Sequence, residues 1–327
     1  MGSIIVGSVL GGAFLAYFCA STTLFFFPSL LHRKKKFLLR VKHISHRGGA
    51  GEELENTVAA YQNALKNGTD MLELDVQLSK DGKVVVSHDN NLQRTTGVDT
   101  LISQTDYSNL PKIKKELPVQ FMKDRVVSID HDDNVIPTLD EVFEKFPNTP
   151  MNIDIKYNSD ELIDKVHALI SQHNRQHITV WGSMNYKNGE KLYEKDPSIP
   201  LFFSPRRVFL TYVLLLTGLL PFWPIKETCY EMCWPSTLIK RANLGHRLPG
   251  FVRCFAWLLD RNLVHRALYY HLKRRGVSIY VWVLNDVEDY ERAENLGASA
   301  IMTDLPSHLS AYYARNAHRS SRDKLIS

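Results

Sequence analysis

The segment Met71-Leu72-Glu73-Leu74-Asp75-Val76 constrains this chain most. Its alternation predicts a strand, because successive strand side chains point to opposite faces. Leu72, Leu74 and Val76 share one face and are expected in a core, while Glu73 and Asp75 share the other. Two carboxylates side by side on such a strand repel, and one of them is driven to stay protonated. A divalent cation removes the conflict, and hard cations such as Mg²⁺ and Ca²⁺ prefer carboxylate oxygen. Taken alone, the pair is equally compatible with a solvated sheet surface.

The flanks favour chemistry. Val41 to Ser45 reads as a short strand ending in His46-Arg47-Gly48, and Lys83-Val84-Val85-Val86 ends in Ser87-His88-Asp89. Between them, Asn56 or Thr57 can cap a helix carrying Val58, Tyr61, Ala64 and Leu65 at helical spacing, with Gly68 closing it. This is a βαβ unit, and further βα alternation predicts a parallel barrel or a doubly wound sheet. Barrels place their chemistry at the C-terminal ends of strands. Two strand-end histidines, an arginine and a carboxylate pair suit a phosphoester. Arginine grips phosphate oxygens in pairs, histidine moves protons near neutral pH, and a metal neutralises phosphoryl charge.

His46-Arg47-Gly48, Glu55-Asn56-Thr57, Glu73-Leu74-Asp75 and His88-Asp89 together resemble the glycerophosphodiester phosphodiesterase family, with Leu54 standing where that family usually has proline. The resemblance runs from about His43 to about Pro306 and is nearest to the membrane-anchored lysophospholipase D subgroup. It implies an α/β fold, a (β/α)₈ TIM barrel. It implies that His46 and His88 are catalytic, with metal ligation as the alternative for His88. It also implies that Arg47 and Lys156 hold phosphate, and that Mg²⁺ or Ca²⁺ sits on Glu73 and Asp75. Asp154-Ile155-Lys156 stands where the family usually has Glu-x-Lys, which makes Asp154 a third candidate ligand. An interior ion pair between Asp154 and Lys156 is the alternative there. Trp282 and Asn285 match a Trp-Thr-x-Asn pattern, with Val283 replacing threonine, and by resemblance Trp282 lines the substrate glycerol. From its own chemistry Trp282 is as readily a core aromatic. Asp304 and Pro306 match a closing Thr-Asp-x-Pro.

The chain ends speak to location. Residues 1–31 carry no Asp, Glu, Lys or Arg. Ile4 to Leu31 exceeds the roughly 20 apolar residues that cross a bilayer. No positive residue precedes the run, and it is longer than the core of a signal peptide, so residues 1–36 are expected to form an uncleaved anchor with a basic flank. Arg33-Lys34-Lys35-Lys36 follows directly, which by the positive-inside rule puts the remaining chain in the cytosol. The endoplasmic reticulum or another internal membrane is the expected location. The net charge of +5 is concentrated in that cluster and in Arg315, Arg319, Arg322 and Lys324, which suits membrane lipids rather than nucleic acid. No protein partner is predicted. Cys19, Cys229, Cys233 and Cys254 form neither a zinc pattern nor a disulfide framework.

Residues 41–315 are expected to form the barrel, with 316–327 a polar, mobile tail. Residues 94–136 read as an insertion over the mouth of the site. The apolar run 208–223 is short for a span and lies between barrel strands, so it is expected at the membrane interface, with a buried helix as the alternative. Expected chemistry is hydrolysis of a lysophospholipid to lysophosphatidic acid and its head-group alcohol, or an N-acylethanolamine from the N-acylated relative. The substrate's own glycerol hydroxyl is the expected nucleophile. The rival readings are a diesterase releasing glycerol 3-phosphate from soluble glycerophosphodiesters and an inactive lipid-binding barrel.

Overall fold

An apolar helix, α1 (Gly2–Phe26), precedes a strand-and-helix rhythm that occupies the rest of the chain. The computed structural model describes residues 2–37, 39–122, 124–241 and 248–326; the side chains of 2–4, 238, 240, 241, 255 and 318–326 lie outside that description.

In chain order come β1 (His43–Ser45), α2 (Val58–Lys66), β2 (Met71–Leu78), β3 (Val84–Val86) and α3 (Gln93–Thr96). A hairpin of β4 (Glu116–Pro118) and β5 (Val126–Ser128) follows, then α4 (Leu139–Lys145), β6 (Met151–Ile155), α5 (Asp160–Gln172), β7 (Thr179–Gly182), α6 (Tyr186–Lys195) and α7 (Pro205–Leu216). The last part holds β8 (Cys229–Met232), α8 (Pro235–Arg241), α9 (Gly250–Leu259), α10 (Asn262–Arg274), β9 (Ser278–Val281), α11 (Val287–Leu296), β10 (Ala300–Thr303) and α12 (Pro306–Ile326). Local chemistry explains the helix ends. Thr57 Oγ1 accepts from Ala60 N, Thr138 and Glu141 form a reciprocal capping box, and Gly297 takes the left-handed conformation that closes α11.

Seven parallel strands run in the order β7-β6-β2-β1-β10-β9-β8, with β3 antiparallel on β2. Parallel bridges Trp181–Leu201 and Phe202–Cys229 join the two free edges. The barrel is therefore nearly closed, and its eighth position is filled by Leu201 and Phe202 instead of a full strand. The strand is cut short because Pro205 opens α7 three residues later. Closure also needs Gly182, since a Cβ there would lie 2.5 Å from the Phe202 ring.

Alternation sorts the side chains. Leu72, Leu74 and Val76 pack outward against Val58, Tyr61, Phe143, Leu162 and Val166 of α2, α4 and α5. Inside, Ile44, Met71, Val180, Phe202, Cys229, Tyr280 and Met302 plug the lumen. The polar inward positions sit above that plug, at the C-terminal ends of the strands. Beside the mouth, Ile102, Ile113, Leu117, Val127 and Ile136 of the 94–136 segment form a small core together with Leu54, Val85 and Leu92.

Ile5–Phe26 is long and apolar enough to cross a membrane. The helix is not isolated from the barrel. Ser21 Oγ donates to Gly218 O at 2.7 Å, Tyr17 OH donates to Thr217 O, and His271 Nδ1 bonds Phe25 O at 3.0 Å. At the other end the chain after Asn316 continues along α12. All four cysteines are free.

Gly182→Val is expected to destabilise the protein by about 1–3 kcal/mol, the usual cost of overpacking. A denaturant-unfolding midpoint equal to wild type would show that Phe202 does not seal the barrel in this way.

Candidate active site

The turn after β1 positions two functional side chains. Arg47, Gly48 and Gly49 all have positive φ (51°, 79° and 95°). A Cβ at Gly48 would meet Tyr61 at 2.7 Å and Ala60 at 2.9 Å, so only glycine fits this approach to α2. The turn points the backbone of Arg47 at β2, where its N–H donates to Glu73 Oε2 at 2.7 Å. It also brings the guanidinium inward, with Nε 3.3 Å from Asp75 Oδ2.

Asp75 is the most heavily partnered carboxylate in the lumen. Lys156 Nζ lies 2.8 Å from Oδ1, and Asn56 Nδ2 donates to Oδ2 at 2.9 Å. Tyr61 OH donates to Asn56 Oδ1 at 3.1 Å, which fixes the amide. Burial opposes ionisation of Asp75, but Lys156 and Arg47 outweigh it and hold the carboxyl well below its usual range. Burial and the Asp75 charge push Glu73 well above its usual range. The two neighbours thus shift in opposite directions. Lys156 also pairs with Asp154 Oδ2 at 2.6 Å, leaving buried Asp154 Oδ1 without a hydrogen-bond partner.

Each histidine has its own carboxylate. His46 Nδ1 donates to Asp304 Oδ1 at 2.7 Å. Asn285 holds Asp304 in turn: its Nδ2 donates to Asp304 Oδ2 at 3.0 Å and its Oδ1 accepts from Asp304 N at 2.9 Å. Burial, then the nearby Arg47 charge, lower the His46 pKa, and Asp304 opposes them only in part. The neutral ring with Nδ1–H on Asp304 has a basic Nε2. His88 is half-exposed, and its Nδ1 lies 2.6 Å from Asp89 Oδ1. Arg94 links Asp89 to Glu55, which it grips with both terminal nitrogens at 2.9 and 2.6 Å, and Glu55 also accepts from Arg47 at 3.1 Å.

These groups open onto one cavity of about 510 Å³, lined at its polar end by His46, Arg47, Glu73, His88, Asp154 and Lys156. Phe121, from the loop of the β4–β5 hairpin, meets His46 edge-on at 5.5 Å and Trp282 at 6.4 Å. Trp282 lines the cavity from the side of β9. Asp75 is 1% exposed and does not face the cavity; it holds the cations that do. Among the described residues no group of three His, Cys, Asp or Glu side chains is already arranged around an ion position. The carboxylates on the cavity wall are Glu73, Asp154 and Glu231, the last of them engaged by Asn152.

Sequence reasoning did not single out Glu231, and it placed Asn152 on the face of Asp154 and Lys156 without giving it a role. Asn152 Nδ2 donates to Glu231 Oε1 at 2.7 Å, joining β6 to β8 across the lumen. Burial pushes the Glu231 pKa up to about 8, so this side chain is largely a neutral acid at neutral pH. A glutamate in the apolar alternation Cys229-Tyr230-Glu231-Met232 was the available signal. The roles of Asp304, Asp89, Glu55 and Arg94 were also missed, although all but Arg94 lie in or beside the motifs.

The pattern of the glycerophosphoryl diester phosphodiesterase family matches residues 46–308. Human lysophospholipase D GDPD1 is 49% identical over 302 residues, covering 92% of this chain and 94% of that protein. Mouse lysophospholipase D GDPD3 is 36% identical over 285 residues, covering 87% of this chain and 86% of that protein. The crystal structure of a glycerophosphodiester phosphodiesterase from Agrobacterium tumefaciens shares the fold with a TM-score of 0.58 at 21% identity, over 83% of this chain and 99% of that one. An Oleispira antarctica phosphodiesterase in complex with sn-glycerol-3-phosphate gives a TM-score of 0.56 at 21% identity, over 84% and 96% of the two chains.

Asn152→Ala is expected to cost about 1–3 kcal/mol by leaving a buried acid unpaired. Glu231→Gln, which keeps an acceptor for Asn152, is expected to cost less. Chemical denaturation of both variants checks the order; the reverse order would discount the cross-lumen bond.

Proposed function

The chain belongs to the glycerophosphoryl diester phosphodiesterase family, and on that premise we propose that it is a lysophospholipase D. In this reading it cleaves between the phosphate and the head-group alcohol of a lysophospholipid. The products are lysophosphatidic acid and that alcohol, or an N-acylethanolamine from the N-acylated substrate. The observation that carries the reading is the placement of His46 and His88, each tied to a carboxylate, around the Arg47–Asp75–Lys156 cluster in one cavity. The relatives named lysophospholipase D favour a lipid over a soluble diester.

Arg47 and Lys156 receive the phosphate oxygens. Both are held in place by Asp75, so little side-chain ordering remains to be done on binding. His46 Nε2 takes the proton of the substrate's free glycerol hydroxyl as that oxygen attacks phosphorus. His88 gives a proton to the departing head-group oxygen as the P–O bond breaks. The resulting cyclic phosphate is opened by water, with the two histidines exchanging roles and returning to their starting states. Trp282 packs beside the glycerol.

Enzymes of this family are generally metal-dependent. The residues suit a divalent ion, Mg²⁺ or Ca²⁺: Glu73 is strained by the charge of Asp75, and Asp154 Oδ1 is buried with no partner. Glu73 and Asp154 would hold the ion from the cavity wall, with Asp75 behind them. When bound it supplies positive charge at the phosphoryl group.

In the same reading α1 anchors the chain in an internal membrane such as the endoplasmic reticulum. The barrel of residues 41–315 then stands on the cytosolic side, and 208–223 lies at the interface. Membrane lipids are the partner.

Purified protein with lysophosphatidylcholine should release choline and lysophosphatidic acid. His46→Ala and His88→Ala should each lose at least about 10²-fold in turnover. The double variant should lose much less than the product of the two, because such residues act as a unit. Independent, multiplicative losses would sink the paired roles. Glu73→Ala should abolish turnover with the fold intact, and a chelator should do so reversibly; full activity after chelation would refute the metal assignment.

A further inference from the structure

The cavity does not end at the phosphate groups. It continues into an apolar arm whose walls are Phe203, Pro205, Val208, Phe209 and Tyr212 on one side and Leu259 of α9 on the other. We propose that this arm seats the single acyl chain of the substrate, and that it fills from the leaflet in which α1 stands. The proposal rests on the lysophospholipid reading above and adds where the lipid tail goes and how it enters.

The arm follows from the shortened strand. Phe202 points into the lumen, and α7 starts at Pro205, so the first two turns of this helix lie at the barrel rim. Val208, Phe209 and Tyr212 fall on its cavity side. The Tyr212 hydroxyl is already bonded to His265 Nδ1 at 3.1 Å, so this tyrosine offers the arm its ring. Phe209 is 53% exposed, which places it at an opening. Across that opening α9 presents Trp257 and Leu258 to the outside.

The far end of α7 is gripped by α1. Gly218 has φ +72°, and a Cβ there would lie 3.0 Å from Tyr17 Oη and 3.1 Å from Ser21 Oγ. The Tyr17 and Phe222 rings stack at 6.1 Å. Tyr17 lies about 13 Å, and Ser21 about 7 Å, along the helix from Phe26 at 1.5 Å per residue. If α1 crosses the bilayer, the turn at 217–222 is therefore held inside the apolar layer. Exposed Leu216 and Leu219 belong in such surroundings, and Trp223 belongs at its boundary. A chain sliding from the leaflet along α7 into the arm meets apolar surface throughout. Each methylene kept out of water in this way is worth about fourfold in affinity.

The test uses the full-length protein with two substrates: long-chain lysophosphatidylcholine held in phosphatidylcholine vesicles, and a short-chain lysophosphatidylcholine delivered as monomer from solution. Val208→Trp fills the arm and should lower the ratio of kcat/KM for the long chain over the short chain at least tenfold. Gly218→Val pushes α1 off the turn; it should lose at least fivefold on the vesicle substrate and less than twofold on the soluble one. Should Val208→Trp fail to fold, Val208→Ala should raise KM for the long chain about threefold with kcat held. Unchanged ratios, or equal losses on both substrates, would overturn the acyl seat. Wild-type protein that releases no choline from either substrate would instead overturn the activity reading itself.

Discussion

The ionised carboxylate of Asp75 is the interaction on which the site depends. It is enclosed by Lys156, Arg47 and Asn56, which come from just after β6, the turn after β1 and the segment before α2. Removing one member of such a buried group typically costs 3–5 kcal/mol, because the partner charges are left unpaired. Its neighbour Glu73 responds by moving the other way. One carboxylate therefore organises the cations while the next faces the cavity poorly matched to its surroundings. Two carboxylates on one face of a strand thus shift in opposite directions because their neighbours differ.

The shape of the cavity depends on an incomplete strand. A full eighth strand would have carried the chain up the barrel wall before any helix began. With only Leu201 and Phe202 in that place, α7 starts at the rim and its first residues border the lumen. The same economy demands glycine at 182, where the Phe202 ring crosses the lumen. The polar half of the cavity is built by strand ends, and the apolar half by a helix standing where a strand would have continued.

Much of this was legible in the sequence. Alternation put Glu73 and Asp75 on the inward face, and the strand ends brought His46 and His88 to the same cavity as Glu73, because period-two patterning is local. Thr57 and Thr138 announced helix starts by the same local chemistry. Long-range pairing was not legible. Asp304 lies 258 residues from His46, and nothing in either segment names the other. Glu231 and Asn152 stand 79 residues apart; Glu231 reads by itself as an isolated polar residue in an apolar strand, and Asn152 as one of the polar face it shares with Asp154 and Lys156. Leu201 and Phe202 are too few to show any period. Residues 94–136 broke the rhythm because their apolar residues build a separate small core instead of a barrel layer. Their loop nonetheless returns Phe121 and Gln120 to the site, where Gln120 accepts from Arg47 at 2.9 Å.

The two histidines are not equivalent, and their surroundings argue for the order of their roles. His46 is buried between Arg47 and Phe121, and burial together with the arginine charge disfavours its protonated form. In the proposed reaction, a ring kept neutral, with Nδ1–H fixed on Asp304, is suited to accept the first proton from the glycerol hydroxyl. His88 stands at the partly open side of the cavity, which in the proposed reaction suits a head group leaving into solvent. Its partner Asp89 is shared with Arg94, which is itself locked onto Glu55. That chain of charges ends on Arg47, whose charge also acts on His46, so both histidines are referred to the same arginine. In the proposed reaction, a phosphate held by Arg47 would therefore be felt at both histidines, which would tie proton movement to the presence of substrate.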